Sequence, residues 1–347
     1  MRVLLTGLAV PYGLAVRARA LLYRVGWLPS RRLPRPVVSV GNLTVGGTGK
    51  TPIVIWIAQR LTAQGMAVAV LSRGYRRRTR GSFLLVSDGD TVLAGPADAG
   101  DEPYLIAQRC PGAVVAVGAD RYRLGRWLLE RSPRTIDCFV LDDGFQHLAL
   151  CRDVDLLLVD ATDADGLAGL LPAGRLREPL TAARRATAVL ITRAESRAAC
   201  ETMARTIEAA GVSGQPIFVR FRPDGIVPVG GGSAQEAEVV AGRKALAFSG
   251  IANPRSFHET LAGLGVTLVD SLVFPDHHWY RAAELEEIRQ RAARGGAELV
   301  LTTEKDAGKV APLLKPDDRF LAVRLGAEIL RGQDRLERLL FSVTGDR

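Results

Sequence analysis

The chain has 347 residues, 47% of them hydrophobic, with 46 Lys and Arg against 37 Asp and Glu and a formal net charge of +9. This length exceeds one typical core and predicts two domains, and the composition excludes a disordered or low-complexity chain. The four cysteines (Cys110, Cys138, Cys151, Cys200) form no C-x-x-C pair, which argues against a zinc site or disulfide framework and suits a reducing, cytosolic setting.

The N-terminal quarter sets the charge. Fourteen basic residues precede the first acidic one, Asp88, so the other 32 are outnumbered by all 37 acids. The apolar run Val3–Val16 contains Pro11 and is short of the ~20 residues that span a bilayer. No small-residue cleavage pattern follows it, and the arginines lie after it rather than before, so a signal peptide is disfavoured. Arg17, Arg19, Arg24, Arg31, Arg32 and Arg35 alternate with Leu21, Leu22, Tyr23, Trp27 and Leu28. That mixture suits residues 1–35 lying in an anionic membrane interface, and equally an amphipathic helix docked on the next domain. The two are compatible if only part of the apolar stripe is covered. Aromatics for base stacking are sparse near the later arginine run, so no nucleic acid partner is expected.

Next comes VVSVGNLTVGGTGKTP, residues 37–52. A β-branched run enters a glycine loop, which delivers Lys50 and Thr51 to the start of an apolar helical segment. This strand, loop, helix order is the context of a phosphate-binding loop. Thr44, Val45, Gly46, Gly47, Thr48, Gly49, Lys50 and Thr51 are the candidate nucleotide contacts. Backbone N–H groups would cradle the phosphates, Lys50 would reach the β/γ-phosphates, and the Thr51 hydroxyl would ligate Mg²⁺. Thr44 stands where the pattern has its first glycine.

Short apolar runs at 66–75, 112–121, 136–144, 154–161 and 187–194 alternate with helical segments and predict a parallel sheet covered on both faces. IFVRFRPDGIVPV reads as a hairpin about a Pro-Asp-Gly turn. A boundary is placed near 230, and ALAFSGIA, VTLVDSLVF, AELVLTTEKDA and DRFLAVRL then form a second, smaller α/β unit. The expected architecture is therefore α/β and P-loop NTPase-like, with a membrane-contact segment over 1–35, a P-loop domain over 36–230 and a smaller α/β domain over 231–347.

LDDGFQH ends its strand with Asp142 and Asp143, where a P-loop enzyme needs an acid for Mg²⁺. Asp101, followed by Glu102 and Pro103, reads as a helix N-cap. FPDHHWY puts His277 and His278 in one loop beside Asp276, and a His–Asp pair assembled across the two domains could serve as general base on a substrate hydroxyl. Arg73, Arg76, Arg77, Arg78 and Arg80 form either a solvated basic turn or a contact for phosphate or headgroups.

VGNLTVGGTGKTP, LSRGY, GDEP, VGADR, LDDGFQH, LPAGRLREP, FSGIANP, FPDHHWY and TTEKDA follow one another in an order that resembles the tetraacyldisaccharide 4′-kinase family, the lipid A 4′-kinases of Gram-negative bacteria. The resemblance runs from residue 38 to about 307. It implies transfer of the ATP γ-phosphate to the 4′-hydroxyl of a tetraacylated glucosamine disaccharide 1-phosphate, with Mg²⁺, at the cytoplasmic face of the inner membrane. It implies that Asp101 is the base, assisted by His277, and that Glu178 is an acid linked to Mg-ATP. Arg73, Arg76 and Arg77 are then candidate contacts for the lipid. A monomer is expected. Arg175 departs from the family pattern, where Pro is expected, and Thr44 agrees with it. The competing reading is a P-loop switch ATPase that positions cargo at the membrane. Such proteins carry a Lys before the Gly-Gly pair, where this chain has Val45.

Overall fold

A computed structural model describes residues 2–75, 77–78, 81–132 and 134–343. In chain order the described elements are α1 (Arg2–Arg24), β1 (Val37–Asn42), α2 (Lys50–Ala63), β2 (Val68–Ser72), β3 (Phe83–Ser87), α3 (Pro96–Ala99), α4 (Asp101–Arg109), β4 (Val114–Gly118), α5 (Arg121–Arg131), β5 (Cys138–Asp142), β6 (Val154–Asp160) and β7 (Ala188–Thr192). There follow α6 (Arg197–Ala209), β8 (Ile217–Pro228), β9 (Lys244–Ser249), α7 (Pro254–Gly263), β10 (Thr267–Val273), α8 (Ala282–Arg294), β11 (Leu299–Thr303), α9 (Glu304–Val310), β12 (Phe320–Arg331) and α10 (Gln333–Ser342).

The strands form one sheet in the order β10-β9-β11-β12-β8-β7-β6-β1-β5-β2-β4-β3. β1, β2, β4, β5, β6 and β7 pair parallel, as continuous apolar runs buried on both faces require. β1, β2, β4, β5, β6 and β7 are buried along their whole length. β1 lies between β5 and β6, pairing Val40 with Asp142 and Gly41 with Leu157. α2 covers it with the fully buried Ile53, Ile57 and Leu61. This register brings the carboxyl ends of β1, β2, β5, β6 and β7 to one rim, where open α/β sheets keep their sites.

One strand is new here and one expectation fails. Phe83–Ser87 was not anticipated as a strand, yet it pairs antiparallel to β4 at the sheet edge. Nor do residues 217–228 fold back as a hairpin. They form one strand, β8, and Asp224 is bulged out where the partner register jumps from Arg324 to Leu325. The Pro-Asp-Gly signal marks a bulge rather than a turn.

β8 and β12 form an antiparallel ribbon of 12 residues each. Residue 230 lies directly after β8, and the sheet runs unbroken across that position. β9, β10, β11 and β12 are parallel to one another. The loop after β9 comes close to the phosphate loop. Ala252 is the nearest neighbour a Cβ on Gly47 would meet, at 3.9 Å.

Candidate active site

The loop after β1 is held in shape from outside. Gly46 and Gly49 take φ of 124° and 82°, conformations that residues with a Cβ rarely adopt. Val45 N–H donates to the Arg175 carbonyl (2.8 Å), and Arg177 N–H donates to the Leu43 carbonyl (2.7 Å). The Arg175 guanidinium donates to the Val45 carbonyl (2.9 Å), and Arg193 donates to the Gly47 carbonyl (3.1 Å). Thr192 Oγ1 donates to the Thr48 carbonyl at 3.0 Å. Carbonyls are thus occupied from behind, which leaves the loop N–H groups after Val45 and the α2 N-terminus for an anion. Thr48 Oγ1 is buried without a partner, an orphan that a phosphate oxygen would satisfy. Thr51 sits in the first turn of α2.

Phe221 of β8 packs directly on Gly49, whose added Cβ would lie 2.1 Å from the ring. Gly49→Ala is therefore expected to lower stability by about 1–3 kcal/mol through strain and collision. Thermal unfolding would measure it, and Phe221→Ala in the same chain should recover part of the loss. An unchanged melting temperature would mean the ring does not rest there.

Lys50 is half-buried. Its Nζ donates to Asn42 Oδ1 (3.1 Å) and lies 3.5 Å from Asp143 Oδ1. Asp143, at φ 52°, also accepts from both ends of the Arg177 guanidinium, each at 3.0 Å. Burial would raise its pKa, but Lys50 and Arg177 hold it well below the usual carboxylate range. Asp142 is different. Its Oδ2 accepts from Ser72 Oγ at 2.7 Å, and burial, with the Glu102 charge adding to it, pushes its pKa up to about 7. The Lys50 charge opposes that rise without overcoming it, and among the described residues Asp142 makes no ion pair.

Across the cleft, Asp101 is not an N-cap. Gly100 holds that position with no side-chain cap, and Asp101 is the first residue of α4. Its buried Oδ2 meets His277 Nδ1 at 3.1 Å and Lys309 Nζ at 3.1 Å. Burial acts to raise the Asp101 pKa, and the His277 hydrogen bond with the Lys309 and Lys305 charges outweighs it and lowers it. His277, at φ 62°, has Nε2 3.4 Å from Lys305 Nζ and packs edge-on to Tyr75. The neighbouring His278 turns away, its Nε2 3.1 Å from Glu284 and its ring stacked on Phe274. The pair in FPDHHWY divides into one residue on Asp101 and one packed between Phe274 and Glu284.

The other candidates scatter. Arg73 is exposed, and its charge bears on the buried Arg121 beside Asp143. Arg77 bonds the Gly81 carbonyl within its own loop. Arg76 and Arg80 lie outside the described residues. Glu178 is not brought to the phosphate loop. Both its oxygens accept from Arg185, at 2.8 and 3.0 Å, and it lines a cavity of about 940 Å³ against α1 with Arg17 and Arg152. Among the described residues no cluster of three His, Cys, Asp or Glu could hold a metal by itself. Sequence reasoning missed Ser72, Arg177, Arg193 and Lys309. Ser72, in LSRGY, and Arg177, in LPAGRLREP, stood in motifs that could have flagged them.

The profile of the tetraacyldisaccharide-1-P 4′-kinase family (LpxK) matches residues 1–344. The tetraacyldisaccharide 4′-kinase of Pelobacter propionicus is 44% identical over 323 residues, 93% of this chain and 87% of that one. That of Geobacter metallireducens is 43% identical over 313 residues, 90% and 89% of the two chains. Among solved structures, an "apo" form of LpxK from Aquifex aeolicus in complex with ATP superposes with a TM-score of 0.81. It is 33% identical, and 99% of each chain is covered.

Proposed function

The chain belongs to the tetraacyldisaccharide-1-P 4′-kinase family, and on that premise we propose how its residues move the γ-phosphate of ATP to a sugar hydroxyl. It is an ATP-dependent kinase of lipid A biosynthesis, acting on the 4′-hydroxyl of a tetraacylated disaccharide 1-phosphate. The loop from Thr44 to Thr51 holds the triphosphate by its N–H groups, with Lys50 on the β/γ-phosphates. The Thr51 hydroxyl and the Asp142 carboxylate fit Mg²⁺, being hard oxygen donors, one of them a carboxylate whose charge burial disfavours and a cation would stabilise. Mg²⁺ bound there supplies charge neutralisation at the phosphate oxygens. Asp143 keeps Lys50 and Arg177 in place.

Asp101 takes the hydroxyl proton as the sugar oxygen attacks the γ-phosphorus and ADP leaves. His277 orients the carboxylate through Nδ1. The observation that carries this reading is the Asp101–His277 contact itself, at 3.1 Å between residues 176 apart in sequence. The test is transfer of labelled γ-phosphate to the purified disaccharide lipid, with one phosphate appearing per lipid. Slow ATP hydrolysis indifferent to lipid would return the switch ATPase reading.

The lipid also explains α1. Tyr12 Oη donates to the Arg177 carbonyl (2.8 Å) and Arg19 to the Gln146 carbonyl (3.2 Å), so one face is docked. Leu8, Val10, Leu14 and Leu21, with Trp27 beyond the helix, are 51–81% exposed. No described helix is long and apolar enough to cross a membrane, so this face would lie in the cytoplasmic leaflet, its arginines on anionic headgroups. Val10→Glu with Leu14→Glu should weaken retention on anionic vesicles by ~10-fold or more, from the ~1.5–3 kcal/mol each buried side chain contributes. Activity on detergent-dispersed lipid should change little. Retention indifferent to these changes and to salt would remove α1 as the anchor.

A further inference from the structure

Lys309 of α9 has a side chain with no exposure at all. An ammonium taken out of water is costly to a fold unless closely paired. Its Nζ lies 3.0 Å from Asp306 Oδ1 and donates to Asp101 Oδ2 at 3.1 Å. Asp306 is itself pinned, its Oδ2 accepting from Gly250 N–H (2.9 Å) and Thr303 Oγ1 (2.8 Å). One carboxylate three residues away on the same helix would be enough to neutralise this lysine. The second comes from α4, in the other half of the molecule, and is the proposed base. α4 and α9 approach closely because Gly308 has no side chain where the Tyr104 ring rests, 2.6 Å from an added Cβ.

His277 and Lys309 both bind Oδ2. That leaves Oδ1 as the oxygen for the acceptor hydroxyl. We propose that Lys309 is a positioning residue for phosphoryl transfer: braced by Asp306, its ammonium clamps Asp101 Oδ2, so that the carboxylate stays ionised and presents Oδ1 to the sugar. The proposal rests on the reading of Asp101 as the base.

The charged and titratable groups around Asp101 are Glu102 on its own helix, Lys305, Asp306 and Lys309 on α9, and Asp276, His277 and Tyr280 on the loop after β10. Burial alone would raise the Asp101 pKa, and His277, Lys309 and Lys305 hold it down. Removing one cation must therefore shift it upward. In full-length Lys309→Met, assayed with the disaccharide lipid in detergent, the acid limb of kcat/KM is expected to move up by about one pH unit or more. kcat should also fall by ~10-fold or more across the pH plateau, because the carboxylate is no longer clamped in place, with the KM for ATP little changed. Asp306→Asn keeps its acceptor oxygen but removes a negative charge, so its acid limb should move down.

An acid limb fixed in Lys309→Met overturns the proposal. If that variant does not fold, a fixed limb in Asp306→Asn does so, and failure of both to fold makes the row a structural brace and overturns it too. Asp101→Asn run in parallel separates the two readings. An active Asp101→Asn defeats the base assignment, whereas an inactive one with unmoved limbs defeats the role of Lys309 alone.

Discussion

Lys50→Ala is expected to reduce phosphate transfer by at least ~10²-fold in kcat while the protein still folds. Lys50 is the cation at the mouth of the loop, and its contact with the β/γ-phosphates strengthens as charge moves onto the leaving oxygen. Such a contact is lost mainly from kcat. The fold survives because Asp143, the partner left behind, keeps both Arg177 bonds. Steady-state transfer of labelled phosphate, beside a thermal melt of the same preparation, measures both halves of the statement. Near-normal turnover would end the phosphate-loop assignment.

Asp101→Asn and His277→Ala should each depress kcat by ~10²–10⁴-fold, the usual contribution of a positioned base. Asn preserves the size of Asp101 and one acceptor oxygen, so the α4 terminus should hold, particularly as Gly100 rather than Asp101 is at its cap. The double variant should cost far less than the product of the two, because groups acting as one unit are not additive. A fully multiplicative double variant would show that the 3.1 Å contact has no catalytic meaning. A nearly silent Asp101→Asn would leave the enzyme without an identified base.

What could be read from the sequence was what is local. The central strands were legible because each is a short apolar run closed by a polar or glycine turn, and the phosphate loop because strand, glycines, Lys50 and Thr51 are contiguous. Phe83–Ser87 escaped because it follows a basic turn with no helix before it and pairs antiparallel at the edge. Asp224 misled because its carboxylate accepts from the buried Arg109 at 3.1 Å, a partner 115 positions away that favours the bulge over a turn. Asp101 is the clearest case. Its neighbours in sequence describe a helix start, and its partners His277 and Lys309 are 176 and 208 positions away. No local pattern holds that information, and motif resemblance alone pointed to it.

The ribbon of β8 and β12 has a consequence for the growing chain. β8 ends at Pro228, and the strand that covers its open side begins at Phe320. At ~5–20 residues per second of synthesis, that side stays unpaired for roughly 5–20 seconds on the ribosome. A bare strand edge invites association with other chains. Charges along it, Arg220 and Arg222, meet Glu328 only when β12 arrives. Until then they give the nascent sheet a positively charged border that repels its own copies.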